Sequence, residues 1–146
     1  MPKEAVLRLH HIGCVVNSIH AGIQTYAALG FRRRTRDFEV SSQSVSVCFL
    51  ELAPSTYLEL IQPAAPKSLL NRFMSAGFYH VGFLVNDLDQ AAHRLRDSRF
   101  APLPPFASEA FDGNRCQFFV TPERHLIECA EMTPDAFASF FAESVA

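Results

Sequence analysis

Two histidines and two glutamates occupy matching positions in the two halves of this sequence. His80 follows His11 by 69 residues, and Glu128 follows Glu59 by the same interval. Each glutamate also lies 48 residues after the histidine of its own half. Imidazole and carboxylate groups are common ligands of divalent metal ions. A repeat that brings the four side chains to one point therefore predicts a metal site.

The histidines lie in two similar apolar segments, LHHIGCVV and YHVGFLV. Side chains alternate between the faces of a β-strand, so His11 shares a face with Gly13, and His80 shares one with Gly82. We expect each glycine to mark the open side of the site, where a chelating substrate would enter. The same alternation places His10 on the opposite face from His11, which argues against His10 as a ligand.

The two glutamates stand in strand-like runs, YLELI around Glu59 and LIECA around Glu128. Taken singly, such a glutamate more often faces water, and a histidine in an apolar strand is more often a hydrogen-bonded core residue. A buried carboxylate is costly unless it is paired, protonated or bound to a metal. The shared interval favours the metal. The predicted set of two imidazoles and two carboxylates suits Zn²⁺, Ni²⁺, Co²⁺, Mn²⁺ or Fe²⁺.

Such a centre predicts a particular chemistry. Four protein ligands on an octahedral ion leave two neighbouring positions open, and these would take two vicinal oxygens of a small acyl substrate. The metal would act as a Lewis acid that stabilises an enolate or enediolate. A carboxylate at the site would supply the base for a proton next to a carbonyl.

Other residues repeat at the same interval and define the elements that position the site. Each half reads as a strand, a helix and three further strands, so the repeat unit is βαβββ. Asn17 or Ser18 can cap the first helix, Gly30 stands at its end, and Asp87 can cap the second helix. The predicted later strands are 31–40, 44–52 and 56–61 in the first half, and 100–104, 115–120 and 125–130 in the second, with a tight turn at 112–114.

The chain reads as one domain, 1–146, of the α+β class. Its predicted parts are module one (about 7–63), a linking helix (about 66–76), module two (about 77–131) and a C-terminal helix (about 133–145). Thr133 caps that last helix and Pro134 opens it. Its apolar stripe, Phe137, Phe140 and Phe141, packs against this chain or a second copy, or faces a ligand as an aromatic box.

Composition excludes several function classes. The net charge of −2 gives no general attraction to nucleic acid. No apolar run approaches the roughly 18 residues that span a membrane, and the N-terminus lacks a signal peptide, so we expect a cytoplasmic protein. The four cysteines lie in apolar runs and are predicted to be buried free thiols. The basic run at 32–36 is either a solvated edge strand or a phosphate-binding patch.

The segments LHHIGCVVNSIHAGIQTYAALGF, TYLELIQP, YHVGFLVNDLDQAAHRLR and HLIECAE together resemble the vicinal oxygen chelate superfamily, also called the glyoxalase/bleomycin-resistance/dioxygenase superfamily, over about residues 7–131. The resemblance implies paired βαβββ modules that form a half-open barrel around a metal. Ligands of its four-ligand members match His11, Glu59, His80 and Glu128.

Within the superfamily the chain looks most like methylmalonyl-CoA epimerases. That resemblance implies an isomerase that uses two glutamates to exchange an α-proton, one of which matches Glu128 as general base. The other falls at or next to Ser42, and a serine cannot act as that base. A one-base proton shift or another reaction on the same chelate stays open.

Two other functions remain as alternatives. Glyoxalase I, a lactoylglutathione lyase, has a matching metal set and moves a proton between adjacent carbons. Antibiotic-resistance proteins of the superfamily act either as metal-dependent thiol transferases or as metal-free binders that sequester a drug. A complete ligand set argues against the metal-free binder.

The expected partner is a small-molecule substrate, possibly a thioester. Ser42 and Gln43 lie on its approach in module one, and Phe106 and Phe111 would form an apolar lip in module two, unless that segment is a plain surface loop. Arg115 would bind an anionic group or is an ordinary surface arginine. We also expect a homodimer, with the modules paired within one chain or exchanged between two.

Overall fold

In the computed structural model, which describes residues 5–64 and 77–143, the chain forms two similar units followed by a helix. The first unit contains β1 (Leu7–Val15), α1 (Ile19–Ala27), β2 (Arg32–Arg33), β3 (Phe38–Val40), β4 (Val45–Ala53) and β5 (Thr56–Pro63). The second contains β6 (Gly77–Val85), α2 (Leu88–Asp97), β7 (Ala101–Pro102), β8 (Phe106–Ser108), β9 (Asn114–Val120) and β10 (Leu126–Glu131), and α3 (Pro134–Glu143) ends the described chain. The linking helix expected at about 66–76 lies outside the described residues.

The strand predicted after each of the first two helices is in fact two short strands. In the first unit, Arg33 Nε donates to the carbonyl of Thr35, and the Thr35 hydroxyl accepts the backbone N–H of Phe49, so side chains replace the regular ladder there. In the second unit, prolines at positions 102, 104 and 105 cannot donate to a ladder. Both short strands of each unit pair with the same longer neighbour, β4 in the first unit and β9 in the second.

The strands form one mixed sheet in the order β2-β4-β5-β1-β6-β10-β9-β7, with β3 beside β4 and β8 beside β9. The two units meet at its centre, where β1 and β6 pair antiparallel. Each central strand pairs in parallel with the last strand of its own unit, β1 with β5 and β6 with β10. The sheet is open, because its edge strands do not pair with each other. The predicted α+β class with two βαβββ repeats is confirmed.

The predicted helix caps are also confirmed. The backbone N–H groups of Ala21, Gln90 and Ala136 donate to the side chains of Ser18, Asp87 and Thr133, respectively. Capping satisfies backbone donors that a first helical turn leaves unpaired. These caps fix where each helix begins after the strand that precedes it.

The core lies on both faces of the sheet. On one face, α1 covers β1, β4 and β5 through a cluster around Cys14, Leu50 and Leu60, and α2 covers the second unit in the same way. On the other face, α3 packs its Phe137 and Phe141 against Phe49. The C-terminal stripe therefore packs against its own chain, and all four cysteines are buried and free, as predicted. None of the helices in the described ranges is long and apolar enough for a membrane crossing.

Candidate metal centre

The four repeat-related side chains meet at the junction of β1 and β6. Two rows of the sheet supply them: Glu59, Gly13 and His80 are neighbours across β5, β1 and β6, and His11, Gly82 and Glu128 are neighbours across β1, β6 and β10. Each row thus joins the histidine of one unit to the glutamate of the other. The antiparallel register of β1 and β6 is what turns two separate half-sites into one.

Each glycine in these rows makes room for an imidazole. A Cβ on Gly13 would overlap the ring of His80, and a Cβ on Gly82 would overlap the ring of His11. The expectation that these glycines mark the side of substrate entry is therefore wrong. The space beside each glycine is filled by the histidine of the other unit, because the two strands pair antiparallel.

The ligand atoms are buried and close together. The four residues are between 2% and 4% exposed, and one ligand atom from each lies within 4.8 Å of the others. The Nε2 atoms of His11 and His80 are 2.9 Å apart. His11 Nε2 lies 3.2 Å from Glu128 Oε1, and His80 Nε2 lies 3.5 Å from Glu59 Oε1. Neighbouring ligands at about 2.1 Å from a divalent ion are about 3.0–3.4 Å apart, so the residues fit such an ion.

Unsatisfied polar atoms at this point support the same fit. Within the described chain, the buried Glu128 Oε1 makes no well-aligned hydrogen bond, although His11 Nε2 and His80 Nε2 lie 3.2 Å and 3.4 Å from it. Burial, and then the neighbouring Glu128, raise the pKa of Glu59 well above its usual value. Burial alone would also raise the pKa of Glu128, but His11 and His80 together hold it below its usual range. Without a cation the two carboxylates cannot both ionise easily; a divalent ion removes that conflict.

His10 lies beside His11 rather than on the opposite face. Its Nδ1 is 2.8 Å from His11 Nδ1, and the residue is 7% exposed. The pairing of β1 with β6 is irregular between Leu9 and His11, and this bulge breaks the alternation from which the opposite face was predicted. Burial, followed by His11, lowers the pKa of His10 to about 2, so the ring is neutral.

A small cavity reaches the centre, and Glu59, His80 and Glu128 lie on its wall. The rest of the lining is mainly apolar: Val40, Val45, Val47, Ile61, Phe106 and Phe118. Gln43, Tyr79 and Ser108 add three polar side chains. An apolar cavity with a few polar groups suits a small organic substrate.

The residues predicted to contact substrate are placed differently from one another. Gln43 and Phe106 line the cavity. Ser42 is not among the lining residues; its hydroxyl donates to the carbonyl of Ala107 and links the two units. Phe111 is 1% exposed and packs against Phe49 in the core, so it does not form a lip.

Arg115 points to the face of the sheet that α1 and α2 cover. Its guanidinium donates to Glu131 at 3.0 Å and to Asp89 of α2 at 3.3 Å. Arg115 is the second residue of β9, and the next residue, Cys116, belongs to the core on the site face. Since side chains alternate along a strand, Arg115 faces the other way. Arg115 is not among the residues that line the cavity, and its ion pairs tie β9 to β10 and α2.

Tyr79 and Ser108 line the cavity but were not identified from the sequence. Tyr79 precedes His80 as His10 precedes His11, and the β1–β6 pairing is irregular again at Tyr79, between the Gly13–His80 and Cys14–Phe78 pairs. A second bulge therefore turns Tyr79 towards the site. Burial, and then Glu128 and Glu59, raise the pKa of the Tyr79 phenol, which keeps it protonated.

Comparison with known proteins agrees with this fold. Residues 10–118 match the Glyoxalase/Bleomycin resistance protein/Dioxygenase superfamily, and the chain belongs to that superfamily. No curated protein sequence matches the chain significantly.

Solved structures with the same fold include methylmalonyl-CoA epimerases. The Mycobacterium tuberculosis epimerase has a TM-score of 0.74 and 23% identity, over 90% of this chain and 91% of that one. The Streptomyces coelicolor epimerase in complex with 2-nitronate-propionyl-CoA has a TM-score of 0.70 and 24% identity, over 84% and 95%. A hypothetical protein from Bacillus halodurans C-125 has a TM-score of 0.76 and 21% identity, over 87% and 95%.

Proposed function

We propose that this protein is a divalent-metal-dependent isomerase that moves a proton next to the carbonyl of a small acyl substrate, as methylmalonyl-CoA epimerases do. The observation that carries the proposal is the group of four buried ligand atoms within 4.8 Å at the wall of an apolar cavity. His11, Glu59, His80 and Glu128 would hold the ion. Bound there, a divalent cation would polarise a chelated carbonyl and stabilise an enolate.

The residues of the chain supply the remaining steps. Glu128 has two carboxylate oxygens, so one can ligate while the other accepts the α-proton of the substrate and later returns it. Glu59 reaches the centre from β5, and Glu128 reaches it from β10, on opposite sides of the β1–β6 pair. Glu59 would then face the other side of the substrate carbon. The apolar walls exclude water and hold the acyl group against the carboxylates.

An acyl-CoA thioester is the substrate class that the comparisons favour. The Streptomyces coelicolor neighbour holds 2-nitronate-propionyl-CoA, and a further epimerase neighbour of 24% identity holds methylmalonyl-CoA. The apolar cavity at the centre would face the acyl group, and the larger part of a thioester would lie outside it.

A lactoylglutathione-lyase type of reaction is the second candidate. Among the described residues, the carboxylates that line the cavity are Glu59 and Glu128. The Ser42 hydroxyl donates to the carbonyl of Ala107. A proton shift between adjacent carbons needs a single base, which this arrangement supplies directly. The two reactions differ in their products and can be separated by experiment.

The test is α-proton exchange in D₂O, followed by NMR, with Zn²⁺-, Ni²⁺- or Co²⁺-loaded protein. The substrates are methylmalonyl-CoA, unbranched CoA thioesters and the methylglyoxal–glutathione hemithioacetal. We expect metal-dependent deuterium incorporation into methylmalonyl-CoA; formation of lactoylglutathione instead would establish the second candidate. Metal-loaded protein that exchanges no proton on any of these substrates would refute both.

A further inference from the structure

His10 is the extra residue of a bulge beside the candidate metal centre. Leu9 pairs with Phe83 and His11 pairs with Gly82, so β1 has three residues where β6 has two. A bulge re-aims the side chains next to it. It turns the His10 ring to the same side as His11, where the two Nδ1 atoms come within 2.8 Å.

Only one proton can lie between these two nitrogens when both rings are neutral. If His11 donates, its proton is on Nδ1 and its Nε2 carries a lone pair towards the centre. If His10 donates, the proton of His11 is on Nε2, and that nitrogen cannot bind a metal. The direction of this one hydrogen bond therefore decides whether His11 is available as a ligand.

The surroundings of His10 favour its role as acceptor. The rings of Phe49, Tyr57, Phe111 and Phe137 enclose it, the nearest being Phe137 at 4.2 Å between centroids. Among the described residues its Nε2 has no hydrogen-bond partner. Aromatic faces are electron-rich and attract an N–H edge more than a bare lone pair. The proton of His10 belongs on Nε2, which leaves its Nδ1 free to accept.

We propose that His10 is a positioning residue of the metal centre: its Nδ1 accepts the Nδ1–H of His11, which fixes the His11 ring and leaves Nε2 free for the ion. The inference deepens the proposed function, because it assumes that the centre binds a divalent ion. His80 has no such support, since its Nδ1 has no hydrogen-bond partner within the described chain. Hydrogen-bonded partners behind a ligating histidine orient it and raise its basicity.

The first test reads the tautomers directly. Long-range ¹H–¹⁵N NMR of imidazole-labelled, metal-free protein should show His10 protonated on Nε2 and unprotonated on Nδ1. Protonation of His10 on Nδ1 would overturn the proposal. This readout needs neither metal nor substrate, so it stands even if the proposed function fails.

The second test measures Co²⁺ affinity by the visible spectrum. His10→Phe keeps a ring of similar size but removes the acceptor, and we expect about 10- to 100-fold weaker binding. His10→Asn returns an acceptor near the Nδ1 position and should restore most of the affinity. Phe137→Leu loosens the same aromatic enclosure without touching the hydrogen bond, and it should bind Co²⁺ like wild type.

Two results would overturn the proposal for His10, and a third would refute the proposed function. Wild-type affinity in His10→Phe would overturn the proposal. If His10→Asn and Phe137→Leu lost as much Co²⁺ affinity as His10→Phe, the proposal would be overturned too, because packing alone would then explain the effect. Wild-type protein that binds no Co²⁺ would refute the proposed function, while the tautomer of His10 would still decide the hydrogen bond.

Discussion

Gly82 lies directly opposite His11 in the pairing of β1 and β6, and the His11 imidazole lies where a side chain of residue 82 would be. Gly13 has the same relationship to His80. The two glycines are thus conditions for the convergence of the two histidines. The glycine that stands two residues after each histidine makes room for the histidine of the other unit.

Replacement of Gly82 by alanine should therefore disrupt the centre. The added methyl group would overlap the His11 ring, and we expect a loss of about 1–3 kcal/mol in the free energy of unfolding together with loss of metal binding. Urea denaturation and Co²⁺ titration measure the two effects.

Gly22→Ala is the matched control for that change. Its Cβ would lie 3.1 Å from Leu60 Cδ1, the movable end of a side chain in the α1 cluster, which lies on the other face of the sheet from the centre. It should leave Co²⁺ affinity unchanged. Wild-type metal affinity in Gly82→Ala would contradict the steric account.

Metal binding should stabilise the fold. A ligand that binds only the native state adds about 2.7 kcal/mol at a free concentration 100 times its Kd, so EDTA should lower Tm and one equivalent of Zn²⁺ or Ni²⁺ should restore it. Elemental analysis should find one ion per chain. Protein that takes up no ion after preparation without chelator would count against the metal centre and favour a drug-binding role.

The metal-free protein should lose stability in acid because of His10. In the unfolded chain this histidine takes up a proton near pH 6.5, whereas in the folded chain its pKa is lowered to about 2. Between these values the unfolded state binds more protons, so acid favours unfolding, by up to about 1.4 kcal/mol per pH unit from this group.

His10→Phe should show a weaker loss between pH 6.5 and pH 5 than wild type, measured by urea midpoints in the presence of chelator. His20→Phe changes an exposed histidine of α1 and should follow wild type. Parallel profiles for wild type and His10→Phe would show that His10 does not contribute.

Glu128→Gln should remove the base and keep much of the site. An amide oxygen can still ligate but cannot take a proton, so we expect at least about a 100-fold loss of α-proton exchange with weakened metal binding. Glu59→Gln makes the same change at the repeat-related position and should retain more exchange. Unchanged exchange in Glu128→Gln would exclude Glu128 as the base.

Arg115→Ala should leave substrate binding unaffected. The arginine is half exposed and pairs with Asp89 and Glu131, and exposed ion pairs contribute less than about 1 kcal/mol. Phe106→Ala, by contrast, removes a cavity wall that stacks on Phe118 and should raise KM. An Arg115→Ala variant with a raised KM and unchanged stability would place the guanidinium at the substrate after all.

The internal repeat was sufficient to predict those site residues that occupy equivalent positions in the two halves. The 69-residue interval and strand alternation together brought His11, Glu59, His80 and Glu128 to one region, because equivalent strands of two repeats pair around a common centre. The helix caps followed from local side-chain chemistry. The homodimer and the cytoplasmic location stay predictions.

Features that depend on strand pairing could not be read from one strand at a time. The inward position of His10 follows from a bulge against β6, a strand about 70 residues away in the sequence. The face of Arg115 and the burial of Phe111 depend on where β9 and the turn before it meet α2 and α3. Such pairings are tertiary contacts, and the alternation of residues within one segment does not predict them.

The bulges at His10 and Tyr79 occupy equivalent positions in the two units, but they place different side chains beside the centre. Each half gains one inward side chain that is not itself a metal ligand, so a substitution there breaks the internal symmetry while the four ligands stay. In one half that position is enclosed by phenyl rings and contacts a ligand from behind; in the other it faces the cavity. Two copies of one motif can thereby diverge into a supporting half and a substrate-facing half.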